Sequence, residues 1–138
     1  MIKTLTGKMS TFGGPDDGGV GPDEDLALVS THAQFEQLRA YFLEHQPHGT
    51  TGYARRLNTE KFYIACRWKY SETPQAFLRA HTVTVTVKAN GKTAQAQPID
   101  YGPNFNTGRV ADLSPGLAHF LGLETNDVCT VEIPLPTS

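Results

Sequence analysis

The chain has 138 residues, a formal net charge of −2 and two cysteines. That length suits a single domain with one buried core, and the near-neutral charge supplies no basic stripe for nucleic acid or an anionic membrane. No apolar run approaches the roughly 18 residues of a membrane span, and 13 Gly with 9 Pro demand many tight turns between short strands.

Residues 3–12 (KTLTGKMSTF) read as a first strand, with partial alternation and β-branched residues. The N-terminal MIKTLTGKMSTFGG lacks the apolar region and small-residue cleavage site of a secretory leader. Residues 13–25 (GGPDDGGVGPDED) are too rich in Gly, Pro and acids for regular structure and read as a solvated acidic loop. Its acids, Asp16, Asp17, Asp23, Glu24 and Asp25, lack the alternating ligand spacing and terminal bidentate Glu of an EF-hand, so no metal is expected.

Leu26-Ala27-Leu28-Val29 is a short buried run. Ser30 or Thr31 can then cap an amphipathic helix over 31–46, on which Phe35, Leu38, Phe42 and Leu43 recur at helical spacing before Pro47-His48-Gly49 ends it. Residues 48–61 are polar and read as loop, 62–70 (FYIACRWKY) as an aromatic strand, and 71–80 as a turn and connector. Residues 81–88 (HTVTVTVK) alternate strictly, placing Val83, Val85 and Val87 on one face of a half-buried strand. Asn90-Gly91 predicts a type I′ hairpin turn, with 92–99 returning as the partner.

Asp100-Tyr101-Gly102-Pro103 leaves that strand, 104–107 is loop, and 109–113 is another short strand. Ser114-Pro115 sets an N-cap and an N1 proline before a two-turn helix carrying Leu117, Phe120 and Leu121, with Gly122 at its C-terminal stop. Asn126-Asp127 turns into the last strand, 128–133, and Pro134 and Pro136 follow it. Six or so strands with one longer and one short helix predict a small closed barrel. Cys66 and Cys129 fall in separate apolar strands and read as buried thiols, with a disulfide between adjacent strands as the alternative.

The motifs of 82–133 come in a specific order: Asn90-Gly91, Asp100-Tyr101-Gly102-Pro103, Gly108-Arg109-Val110-Ala111-Asp112-Leu113-Ser114, Leu121-Gly122 and Val128-Cys129-Thr130-Val131. In that order they resemble the double-psi β-barrel of the rare lipoprotein A and expansin group, whose pattern is D-x-G-P, G-R-[VI]-x-D-L-S, a helix ending in L-G and a V-x-V strand. Upstream, Gly7-Lys8-Met9-Ser10-Thr11-Phe12 and Ala27-Leu28-Val29-Ser30-Thr31-His32 resemble the family's G-x-x-S-x-[YF] strand and A-L-x-x-x-[HA] stretch. The likeness covers most of the chain, as one mainly β domain over 1–138 with an inserted helix and loop around 31–60.

The resemblance implies a monomeric, secreted or periplasmic cell-envelope protein acting on peptidoglycan as a lytic transglycosylase without a cofactor. Non-catalytic polysaccharide binding of the expansin kind, or inhibition of cysteine proteases, are the alternatives within similar barrels. Asp100 then becomes the general acid and base, and Glu24 the second acid of the 13–25 loop. Glycosidic cleavage requires a carboxyl group whose pKa is raised by burial. An Asp before Gly also serves commonly as a turn acceptor. Tyr101 replaces the Arg usual in the family and offers a stacking surface. His32, Tyr63, Asn104 and Asp112 complete the expected substrate-binding set, and Asp112 also suits a structural acceptor at the strand–helix junction or a partner for Arg109.

Overall fold

A computed structural model describes residues 1–137. Six strands form a closed mixed barrel: β1 (Ile2–Thr11), β2 (Tyr63–Cys66), β3 (Val83–Val87), β4 (Lys92–Tyr101), β5 (Arg109–Leu113) and β6 (Val128–Pro134). Around the barrel the order is β1-β5-β2-β4-β3-β6. The β1–β5 and β2–β4 pairs are parallel, and the other four are antiparallel. This arrangement is compatible with the double-psi barrel expected from the sequence. The alternation that predicted the strands is directly visible in β3, where Val83, Val85 and Val87 are buried and the intervening threonines are half-buried.

Apolar side chains fill two layers. Met9, Ile64, Val85, Leu113, Cys129 and Val131 belong to the cluster that fills the barrel. A second cluster lies outside it, where Phe35, Leu38, Phe42 and Leu57 cover Tyr63 and Ile99. Cys66 and Cys129 are both free thiols of the inner cluster. Burial pushes the Cys129 thiol up to about 11 and raises Cys66 further, which keeps both protonated and unreactive.

Two regular features depart from expectation. The single helix predicted over 31–46 is instead α1 (His32–Gln37) followed by a 3-10 turn, Arg39–Tyr41. Thr31 caps it as expected, its side chain accepting from the Gln34 N–H. Leu38 then leaves the helical region, and Phe42 becomes extended so that it pairs with Leu57. Backbone bonds from Leu43 N–H to the Arg56 carbonyl (2.8 Å) and from Asn58 N–H to the Tyr41 carbonyl (2.9 Å) outweigh continuation of the helix. Phe35, Leu38 and Phe42 still face one core, but along a broken path. The longest helix is therefore α4 (Pro115–Leu121), seven residues, and two further short helices, α2 (Tyr53–Arg56) and α3 (Gln75–Ala80), occupy segments expected to be loop and connector.

The hairpin at Asn90-Gly91 is not the two-residue type I′ turn. Val87 pairs with Lys92, so four residues connect the strands. Gly91 has φ +75, whereas Asn126 is the one non-glycine residue with positive φ among those described. Asn90 is used differently: its Nδ2 donates to the Leu121 carbonyl (2.9 Å) and its Oδ1 accepts from Lys92 N–H (2.9 Å), tying the hairpin to the end of α4.

Register positions the site. Ala65 on β2 pairs with Asp100 of β4 on one side and Asp112 of β5 on the other, and Asp112 pairs in turn with Ser10 of β1. One row across four strands thus reads Ser10, Asp112, Ala65, Asp100. A bulge in each parallel pair leaves one residue over, Ile99 in β4 and Val110 in β5.

Candidate functional site

Two strand spacings separate the backbones of Asp100 and Asp112, roughly 9–10 Å. Both side chains open into a groove of about 470 Å³, which Tyr101, Asn104, Glu24 and Asp17 also line. The structure therefore gathers five of the seven residues expected from the sequence: Asp100, Glu24, Tyr101, Asn104 and Asp112. It adds Asp17, Thr11 and Phe12.

Asp100 is the more tightly held carboxylate. Its Oδ1 accepts the Ala27 N–H at 2.8 Å. Below it, the buried Trp68 donates its indole N–H to the Asp100 carbonyl at 2.7 Å, as a buried Trp needs a partner. Burial raises the Asp100 pKa and the negative charge of Glu24 adds to this, while the N–H groups of Ala27 and Tyr101 pull it down.

Asp112 is less constrained. Burial pushes its pKa up to about 6; the Asp100 and Asp17 charges add to the rise, and Arg109 opposes it. No hydrogen bond contributes to the shift. The strand–helix junction, expected to be ordered by Asp112, is ordered by Ser114, whose Oγ accepts from both Leu117 N–H (3.2 Å) and Tyr63 N–H (3.3 Å). Arg109 directs its Nε to Asn126 Oδ1 (2.9 Å).

The loop beyond β4 contributes aromatic surface. Asn104 shapes it by accepting the Asn106 N–H at 2.9 Å. Tyr101 is 50% exposed and Phe105 77%. The Arg67 guanidinium lies 5.4 Å from the Phe105 ring centre while Nη1 donates to the Pro103 and Arg109 carbonyls, both at 2.8 Å. Tyr70 adds a half-buried ring 6.2 Å from that of Tyr101.

Glu24 is exposed, its Oε1 accepting the Gly21 N–H at 3.2 Å. Asp17 organises its own loop, accepting Gly13 N–H at 2.6 Å and Gly19 N–H at 2.8 Å. The carboxylates are spread around the groove, and no group of three His, Cys, Asp or Glu among the described residues could hold a metal ion. Nor is any helix among those residues long and apolar enough to cross a membrane.

Two expected residues lie elsewhere. Tyr63 is fully buried, its hydroxyl donating to the Phe12 carbonyl at 2.8 Å and its ring edge-on to Phe12. It supports the groove lining from beneath. His32 is exposed on α1, with Nε2 3.6 Å from Glu36 Oε1, and is not part of the groove lining. The Asp-Asp-Gly-Gly sequence around Asp17 signals a side-chain-stabilised turn, but nothing in it indicates which groove that turn borders. No family model and no curated protein matches this chain.

Proposed function

We propose that the groove binds a cell-wall glycan, peptidoglycan being the form implied by the motif resemblance, and cleaves it in the manner of a lytic transglycosylase at the cell envelope. The observation that carries this reading is the pairing of two unlike carboxylates in one strand row of a groove that the exposed Tyr101 also lines. Asp112, raised by burial with no hydrogen-bond donor among the described residues pulling it back down, is suited to hold a proton at its carboxyl oxygen and deliver it to the leaving glycosidic oxygen. The resulting carboxylate then accepts the proton of the sugar's own 6-hydroxyl as that oxygen attacks the anomeric carbon. The glycosidic bond breaks, an anhydro ring forms, and no water is consumed. Asp100, raised by burial but pulled back down by the Ala27 and Tyr101 N–H groups, is the carboxylate left to stabilise positive charge developing at the sugar ring. This division gives Asp112 the proton that sequence alone assigns to Asp100. Tyr101 and Phe105 offer stacking faces for sugar rings.

Digestion of purified peptidoglycan, read by mass spectrometry, tests the reaction. Anhydro-muropeptides are expected from the wild type and lost in Asp112→Asn. Wild-type protein that is retained on peptidoglycan yet yields no anhydro product would establish the second reading, binding without cleavage. The exposed aromatic pair favours that reading because stacking needs no proton donor.

A further inference from the structure

The acidic loop 13–25 supplies one wall of the groove through Asp17, Gly19, Val20 and Glu24. Five of its thirteen residues are glycine, so ordering it costs more conformational entropy than ordering an average segment. Its fixed position needs a source outside the loop.

That source is residues 51–55, at the start of α2. The Thr51 and Gly52 N–H groups both donate to the Pro22 carbonyl (2.8 and 3.0 Å), and Ala54 N–H donates to the Glu24 carbonyl (3.1 Å). Tyr53 N–H donates to Asp25 Oδ1 (3.3 Å), and Gly14 N–H to the Ala54 carbonyl (3.0 Å). Arg55 bridges the loop: its Nε donates to the Val20 carbonyl (3.0 Å) and its Nη1 to the Pro15 carbonyl (3.2 Å). At Gly52 the chains approach so closely that a Cβ would lie 2.2 Å from the Glu24 carbonyl oxygen. Phe35, Leu38, Phe42 and Leu57 seat the inserted segment on the barrel wall.

We infer that the insertion around 31–60 is a clamp that fixes the acidic wall over the paired aspartates, with Arg55 as its positioning residue. The clamp sets the charge felt in the groove. Asp112 is faced by Asp17 from the loop, Asp100 from β4 and Arg109 from its own strand. Asp100 is faced by Glu24 from the loop, with Tyr70 and Tyr101 beside it. Releasing the loop removes the Asp17 and Glu24 charges from this set and leaves the others in place.

The inference concerns the same groove as the proposed glycan reaction, but its test needs no substrate, so the two can fail separately. Arg55→Ala and Arg55→Lys in the full chain are compared with wild type by amide hydrogen exchange and by carboxyl NMR titration, Asp112 being assigned with Asp112→Asn. Arg55→Ala is expected to speed exchange over 13–25 by roughly tenfold, leave β4 and β5 unchanged, and move the Asp112 midpoint downward from about 6. Loss of a cation alone would move that midpoint upward, so the direction separates release of the wall from a direct charge effect. Arg55→Lys, which keeps one donor and the charge, is expected to fall between, and shows the same trend if Arg55→Ala does not fold. Unchanged exchange over 13–25, or a loosened loop with an Asp112 midpoint that stays or rises, would overturn the inference.

Discussion

The floor and the wall of the groove are held by different physics. Asp100 and Asp112 stand on β4 and β5, in a register fixed from both sides by β2, and a register error would turn a whole face of side chains over. Asp17 and Glu24 stand on a glycine-rich loop positioned by a few backbone and guanidinium bonds. The floor therefore shares the stability of the barrel, whereas the wall depends on bonds made outside the sheet, with residues 51–55. Precise chemistry belongs on the first, and adjustable width and charge on the second.

Four substitutions test that contrast. The largest effect is expected from the floor's support. Leu113→Ala, at a fully buried position of β5, should cost about 2–5 kcal/mol in denaturant unfolding and speed exchange in floor and wall together.

Asp112→Asn comes next, with a sign that depends on pH. The folded pKa of Asp112 lies above its ordinary value, so the folded state binds the proton more tightly than the unfolded chain. Ionisation of Asp112 therefore lowers stability as pH rises from about 3.8 through about 6, and this penalty is fully present above that window. The Asn variant should gain about 1–2 kcal/mol at pH 8, because solvent screening of this partly exposed group cuts the full value of the shift, and nothing near pH 3. Equal stabilisation at both values would contradict burial as the cause.

Ser114→Ala removes an acceptor shared by Leu117 N–H and Tyr63 N–H and should cost about 1–2 kcal/mol in thermal or denaturant unfolding. The smallest stability change is expected for Phe105→Ala, within about 0.5 kcal/mol because the ring is largely exposed. Its retention on peptidoglycan should fall all the same, and unchanged retention would remove Phe105 from the binding surface.

What could be read in the sequence follows the range of the interactions involved. Alternation placed β3, and the Ser114, Pro115 and Gly122 signals placed both ends of α4, because each depends on residues a few positions apart. Asp100 could be placed at a strand end before a turn for the same reason. The broken helix after Gln37 was hidden because Phe42 takes its conformation from Leu57, fifteen positions on. Tyr63 carried a strong aromatic signal but no indication of which barrel face it would cover. Asp17 and Arg55 were hidden more deeply: a flexible acidic loop and a polar segment meet only after both have packed on the barrel. Asp112 was visible as a residue; that Ser114 takes the acceptor role expected of it at the junction was not.

The order of strands around the barrel also governs when its first strand can be used. Among the described residues β1 pairs with β5 and β6, so Lys8 must wait for Arg109 and Val128, more than a hundred residues later. At translation rates of about 5–20 residues per second, that wait is on the order of 5–20 s. Until then β1 lacks the strands it pairs with in the barrel. Its lysines at positions 3 and 8 are the kind of side chain that discourages such a segment from pairing with a neighbouring chain before the barrel closes.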